Sequence, residues 1–175
     1  MPEMIDLYTA DRKKAKGTYI RGKKHPEGLY SMVCHVCIFN SRNQMLLQQK
    51  SDRKNKNNIW DFSAGGCSLA GETSREAMTR ELYEEIGISY DFSNETPFLT
   101  TYYKDCFDDV YILRNFDIDA STLVLQEAEV KDVMWATKEE IFSLIDKKKF
   151  LPFTKDYIEL LFFLNQNGKG FVKNN

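Results

Sequence analysis

GGCSLAGETSREAMTRELYEEIGI, residues 65–88, decides how the rest of this 175-residue chain is read. Its second half, TRELYEEIGI (79–88), carries Arg80, Glu81, Glu84 and Glu85 within six positions. Thr73-Ser74-Arg75-Glu76 fits a capping box, in which the threonine hydroxyl and the glutamate carboxylate each accept a bond from the other residue's backbone N–H. A helix is therefore expected from Thr73 to about Ile86, stopped by Gly87. At about 100° per residue, with Glu81 as origin, Glu84 falls at about −60° and Glu85 at about +40°. All three carboxylates then share an arc of about 100°. Met78, Leu82 and Ile86 form an apolar stripe along its border, at about +60° to +140°.

A charged helical stretch is most often a solvated face, but this one is poorly built for that role. Glu81 and Glu85 stand four residues apart, where like charges cost a helix a few tenths of a kcal/mol. Only Arg80 compensates locally. Clustered carboxylate oxygens are what Mg²⁺ or Mn²⁺ prefers. Upstream, Gly65 and Gly66 let a backbone approach a ligand closely, and Glu72 adds a fourth carboxylate near the helix start.

From Gly66 to Ile88 the stretch reads G-x5-E-x7-R-E-L-x-E-E-x-G-I. Seven fixed residues and two aliphatics match this pattern by chance at roughly 10⁻⁹ to 10⁻¹⁰ of positions in ordinary composition. It resembles the complete signature of the Nudix hydrolases. The resemblance implies an α+β fold, an α/β/α sandwich with a mixed sheet and a loop–helix–loop box over residues 66–88. It implies hydrolysis of a diphosphate linked to another moiety, with Glu81, Glu84 and Glu85 holding Mg²⁺ (Mn²⁺ also suits) and the Gly66 or Gly65 carbonyl adding a contact. Arg80 and Glu72 would orient the glutamates. The general base would be Glu81 or an acid from a later loop: Asp108 or Asp109, then Glu127 or Glu129. The catalytic set is thus Glu81, Arg80, Glu84 and Asp109. The expected substrate is a small diphosphate, a nucleoside di- or triphosphate derivative.

Residues 28–40 with Leu46-Leu47-Gln48-Gln49-Lys50-Ser51 and Trp60-Asp61-Phe62-Ser63 resemble the subgroup related to isopentenyl-diphosphate isomerase. Isomerase chemistry would need a cysteine where Gly65 stands, and histidines where Cys67 and Ser31 stand. The glutamates of the hydrolase are complete, so hydrolysis is favoured over isomerisation. It is also favoured over a catalytically silent domain that senses a nucleotide.

The remaining chain gives weaker signals. Arg21, Lys23, Lys24, Lys50, Arg53, Lys54 and Lys56 concentrate in two segments, and Arg21, Lys50 and Arg53 are the phosphate-binding candidates. Tyr30, Trp60, Phe62 and Tyr102 could stack on a base, although core burial is the usual fate of aromatics. Cys34-His35-Val36-Cys37 has metal-ligand spacing, but it reads as a strand whose residues three apart face opposite sides. Buried thiols are expected, with His35 a core or half-buried residue. Cys67 has no evident cation to activate it.

The net charge of −2 speaks against bulk binding of nucleic acid or an anionic membrane. No apolar run reaches transmembrane length, and no signal segment is visible, so a cytoplasmic protein is expected. One domain over 1–175 is expected, with an N-terminal strand or hairpin extension (1–28) and a frayed tail (166–175). Strands are expected at 5–9, 30–40, 45–49 (returning after a turn at 40–43), 59–64, 98–104, 109–117 and 131–136. Further helices are expected at 138–147 and 154–165. The apolar last helix could cover the chain's own core or a second copy in a homodimer.

Overall fold

Strand β3 (Ser31–Ile38) is the axis of the computed structural model, which describes residues 2–51 and 58–168. Its buried sequence, SMVCHVCI, pairs antiparallel with β6 (Ala64–Cys67) on one edge and parallel with β8 (Cys106–Leu113) on the other. β7 (Leu99–Tyr103) completes this four-stranded sheet. A second sheet has β4 (Met45–Lys50) between β5 (Trp60–Asp61) and β9 (Val130–Ala136). β1 (Met4–Tyr8) and β2 (Lys14–Ile20) form a separate hairpin, tied to β3 by the Tyr8–Tyr30 bridge.

Alternation along β3 sorts two cores. Cys34, Val36 and Ile38 pack with Ala77, Met78, Leu82 and Ile86 of α1 (Ser74–Ile86). Cys37 and Phe39 pack with Phe62, Ile141 of α2 (Lys138–Asp146), and Ile158, Leu161 and Phe162 of α3 (Lys155–Asn167). The two cysteines thus lie in different cores, as the strand reading requires. Helices on both faces of a mixed sheet layer make the expected α/β/α sandwich. α3 buries Ile158, Leu161, Phe162 and Leu164 in its own chain and leaves Leu160 and Phe163 at the surface.

Helix α1 is built as its sequence dictates. Thr73 and Glu76 form the reciprocal capping box, and Gly87 closes the helix in the left-handed region at φ 73°. α2 repeats the device with Thr137 and Glu140.

Three strand expectations need correction. β4 is not the returning arm of a β3 hairpin: past a single Phe39–Met45 bridge it belongs to the other sheet. The expected strand at 59–64 is two, β5 and β6, and Gly65 and Gly66 lie inside the second, opposite His35 and Cys34. Asp108 is not in a turn, because β8 begins at Cys106 and buries both Asp108 and Asp109. In each case long-range pairing overrode a local turn signal. The polar loop around residue 55 and the end of the tail lie outside the described residues. Among the described residues, no helix is long and apolar enough to cross a membrane.

Candidate active site

Period two along β4 aims Leu46, Gln48 and Lys50 at the face covered by α1. Leu46 joins the apolar stripe of the helix. Gln48 and Lys50 lie farther along and meet Glu85, the end of that stripe's acidic neighbour. Glu85 is 1% exposed. Its Oε2 accepts from Gln48 Nε2 and from Gly65 N, each at 2.9 Å. Its Oε1 accepts from Lys50 Nζ at 3.1 Å, and the same Nζ lies 3.4 Å from Asp61 Oδ2. Asp61 is opposite Gln48 in the β4–β5 register, so it presents its carboxylate on the same face. The two carboxylates raise the Lys50 pKa against the opposing effect of burial.

Arg80 organises the other half of the box. Nε and Nη2 form a two-pronged contact with the Glu72 carboxylate at 2.8 and 2.9 Å, and Nη2 also donates to the Cys67 carbonyl at 3.1 Å. Nη1 reaches Glu81 Oε1 at 2.9 Å and Glu84 Oε2 at 3.2 Å. One guanidinium thereby fastens the loop before α1 to two glutamates on it. Glu72 is further fixed by the Leu69 N–H at 2.8 Å, and these bonds hold its pKa down although burial opposes them. Burial pushes the Glu81 carboxyl up; Arg80 opposes this, while Glu85 and Glu84 add to it. Glu84 keeps a half-exposed side chain.

The glycines are required by contact. A Cβ on Gly66 would lie 2.1 Å from Glu81 Oε1, and one on Gly65 would lie 2.2 Å from His35 Cδ2 and 2.8 Å from the Cys34 carbonyl. Gly66→Ala should displace the flexible Glu81 carboxylate while sparing the strand. Turnover is expected to fall about 100-fold, as for a misplacement of about 1 Å, with little change in melting temperature. Gly65→Ala meets backbone, so it should also cost about 1–3 kcal/mol of stability in denaturant melts. The Gly66 carbonyl, a metal-ligand candidate from the sequence, lies 3.6 Å from the Cys34 thiol.

The later acids separate onto opposite faces of β8. Asp108 accepts from His35 Nδ1 at 2.8 Å, beside Phe62 and Phe153. Asp109, the alternative base, is clamped by Arg12 through two bonds of 3.0 and 2.9 Å and by Thr100 at 2.6 Å. Arg12 lies 97 positions away in the β1–β2 turn, and no local signal in the sequence could have announced it.

Burial lowers the His35 pKa, but the Asp108 charge and bond outweigh it and the net shift is upward from 6.5. A raised pKa contributes stability that is complete below the unfolded value and disappears as pH rises through the folded one. The melting-temperature gap between wild type and His35→Asn should therefore narrow as pH rises above the ordinary histidine value of about 6.5.

Other sequence candidates fall as follows. Lys50, a phosphate-binding candidate from the sequence, ends β4, buried between Glu85 and Asp61. Arg21 pairs with Glu3 at 2.7 Å and is within electrostatic reach of Cys67 and Glu81. Arg53, Lys54 and Lys56 lie outside the described residues. Trp60 and Phe62 are core residues, whereas Tyr102 is exposed. Burial pushes the Cys67 thiol up despite Arg21 nearby, so it is a poor nucleophile. Ser31 Oγ is 3.1 Å from Cys106 Sγ. Among the described residues, no three His, Cys, Asp or Glu side chains converge into a ready cation cage. Arg80 and Lys50 hold the glutamates instead.

The fold and the box have recognisable relatives. The NUDIX domain model matches residues 30–161. The Listeria innocua Nudix hydrolase lin0387 is 40% identical over 165 residues, covering 94% of this chain and 92% of that one. The nucleoside triphosphatase NudI of Enterobacter is 29% identical, covering 71% and 94% respectively. The crystal structure of DR0079 from Deinococcus radiodurans superposes with a TM-score of 0.71 at 25% identity, covering 91% of this chain and 97% of that one. A family match across most of the chain, with a hydrolase this similar along nearly its whole length, means that the chain belongs to the Nudix hydrolase family.

Proposed function

We propose that this protein is a divalent-cation-dependent hydrolase that cleaves a diphosphate linkage in a nucleoside di- or triphosphate or a related nucleoside diphosphate derivative. The observation that carries the reading is the charge arrangement at the end of α1. Glu84 and Glu85 occupy the last turn, which has no basic residue of its own. That is the negative end of the helix dipole, where acidic residues are unfavourable and a cation is stabilising. The side chains already bind cations there: Glu85 holds the Lys50 ammonium, and Glu81 and Glu84 share the Arg80 guanidinium. Hard carboxylate donors beside a glycine cradle suit Mg²⁺ or Mn²⁺.

Glu81, Glu84 and Glu85 would hold the ion, which when bound supplies charge neutralisation on the diphosphate and activation of water. The chain supplies position and proton transfer. Arg80 keeps Glu81 against Gly66. Burial pushes the Glu81 carboxyl up, which suits a base, whereas Asp109 has both oxygens committed to Arg12 and Thr100. Arg21, within electrostatic reach of Glu81, would meet substrate phosphate. The nucleotide assignment draws support from the similarity to a nucleoside triphosphatase. Against an isomerase reading, Gly65 has no side chain to protonate an alkene.

The test is a panel of nucleoside di- and triphosphates and nucleoside diphosphate derivatives, assayed with and without Mg²⁺ or Mn²⁺ for released phosphate or nucleoside monophosphate. Metal-dependent turnover of one member is expected. Tight binding of a nucleotide without turnover would instead identify a sensing domain.

A further inference from the structure

The Lys50–Glu85–Asp61 triad has a consequence that the box signature does not contain. Lys50 ends β4, outside residues 66–88, and yet its ammonium sits on the Glu85 carboxylate. We infer that Lys50 is a built-in counter-cation that competes with the divalent metal for Glu85 and so sets the metal affinity of the site. The inference rests on the proposed role of Glu85 as a metal ligand.

Three observations support it. First, both oxygens of Glu85 are engaged: Gln48 and Gly65 bind one, Lys50 the other. A metal entering at Oε1 must displace Lys50 Nζ or share the oxygen with it. Second, Lys50 has a second anchor. Asp61 Oδ2 at 3.4 Å offers the ammonium another partner, so it can leave Glu85 without becoming an unpaired buried charge. Third, Gln48 has a buried Oε1 with no hydrogen-bond partner among the described residues, while its Nε2 serves Glu85. That orphan acceptor lies on the same face of β4 as Lys50, and it can receive an ammonium N–H or a water when the triad rearranges. With Lys50 in place, the buried carboxylates stay neutralised before metal arrives.

The test is metal binding without substrate. Mg²⁺ or Mn²⁺ affinity is measured by calorimetry for the wild type, Lys50→Met and Lys50→Arg. Lys50→Met should bind metal about tenfold more tightly or better, because the competing charge is gone. Its melting temperature should fall without metal and recover with it. Lys50→Arg should stay near the wild type. A second measurement, on the wild type alone, remains decisive if Lys50→Met fails to fold: acylation of Lys50 by an amine reagent, read by mass spectrometry. Saturating Mg²⁺ should increase it several-fold while Lys155 stays constant. Unchanged Lys50 labelling, or Lys50→Met binding metal no more tightly than a metal-binding wild type, would overturn the competition and leave the metal site standing. A wild type that binds neither ion would overturn both.

Discussion

Glu81→Gln is expected to lower metal-dependent turnover by about 10² to 10⁴-fold, the range for loss of a general base. The substitution keeps the shape of the side chain and its place against Gly66. It removes the negative charge that Arg80 holds at 2.9 Å. Because Glu81 is buried at a cost to its charged form, the neutral amide should fold at least as well as the wild type, and a thermal melt checks that. The paired substitution Glu84→Gln with Glu85→Gln should reduce turnover at least as far by removing two cation-binding groups. The two sites differ in their effect on stability. Glu84 is half-exposed, so its change should be nearly silent in a melt. Glu85→Gln leaves the Lys50 ammonium with Asp61 alone and should cost up to about 3–5 kcal/mol, as for a broken buried pair. Full activity in the double variant would refute the metal-ligand assignment.

Arg80→Ala should damage both stability and activity. Arg80 makes charge-assisted contacts to Glu72, Glu81 and Glu84 and holds the Cys67 carbonyl. Its loss leaves Glu72 bound only through the Leu69 N–H and leaves three carboxylates to repel one another. A cost of about 1.5–3 kcal/mol is expected in denaturant melts, the worth of hydrogen bonds to charged groups. Turnover should fall about 100-fold through misplacement of Glu81. Arg80→Lys should recover part of the stability and little of the activity, because a single ammonium cannot form the two-pronged contact with Glu72 while reaching the helix. An Arg80→Lys enzyme with wild-type turnover would show that only charge matters there.

Much of this arrangement was legible locally. The capping box, the glycine stop and the two stripes of α1 follow from spacing within 15 or so residues, the range over which helical geometry is set by the chain itself. The opposite faces of Cys34 and Cys37 follow equally from strand alternation. The errors came where pairing partners are distant. The expected strand ended at residue 64, but β3 supplies the bonds that carry Gly65 and Gly66 into β6. Asp108 fell before the expected strand, but its parallel partner Val33, 75 positions earlier in the chain, draws it into β8.

By itself, then, the sequence determined the family box, the helix that carries it and the identity of the glutamates on one arc, because these depend on residue type and spacing along one element. Only the tertiary structure decided what each glutamate touches. It committed Glu85 to Lys50 and Gln48, fastened Glu81 and Glu84 to Arg80, and turned Asp109 away to Arg12. The physical reason is that the cost of a buried charge depends on the groups brought to it from other strands. Those groups share no spacing with it in the chain.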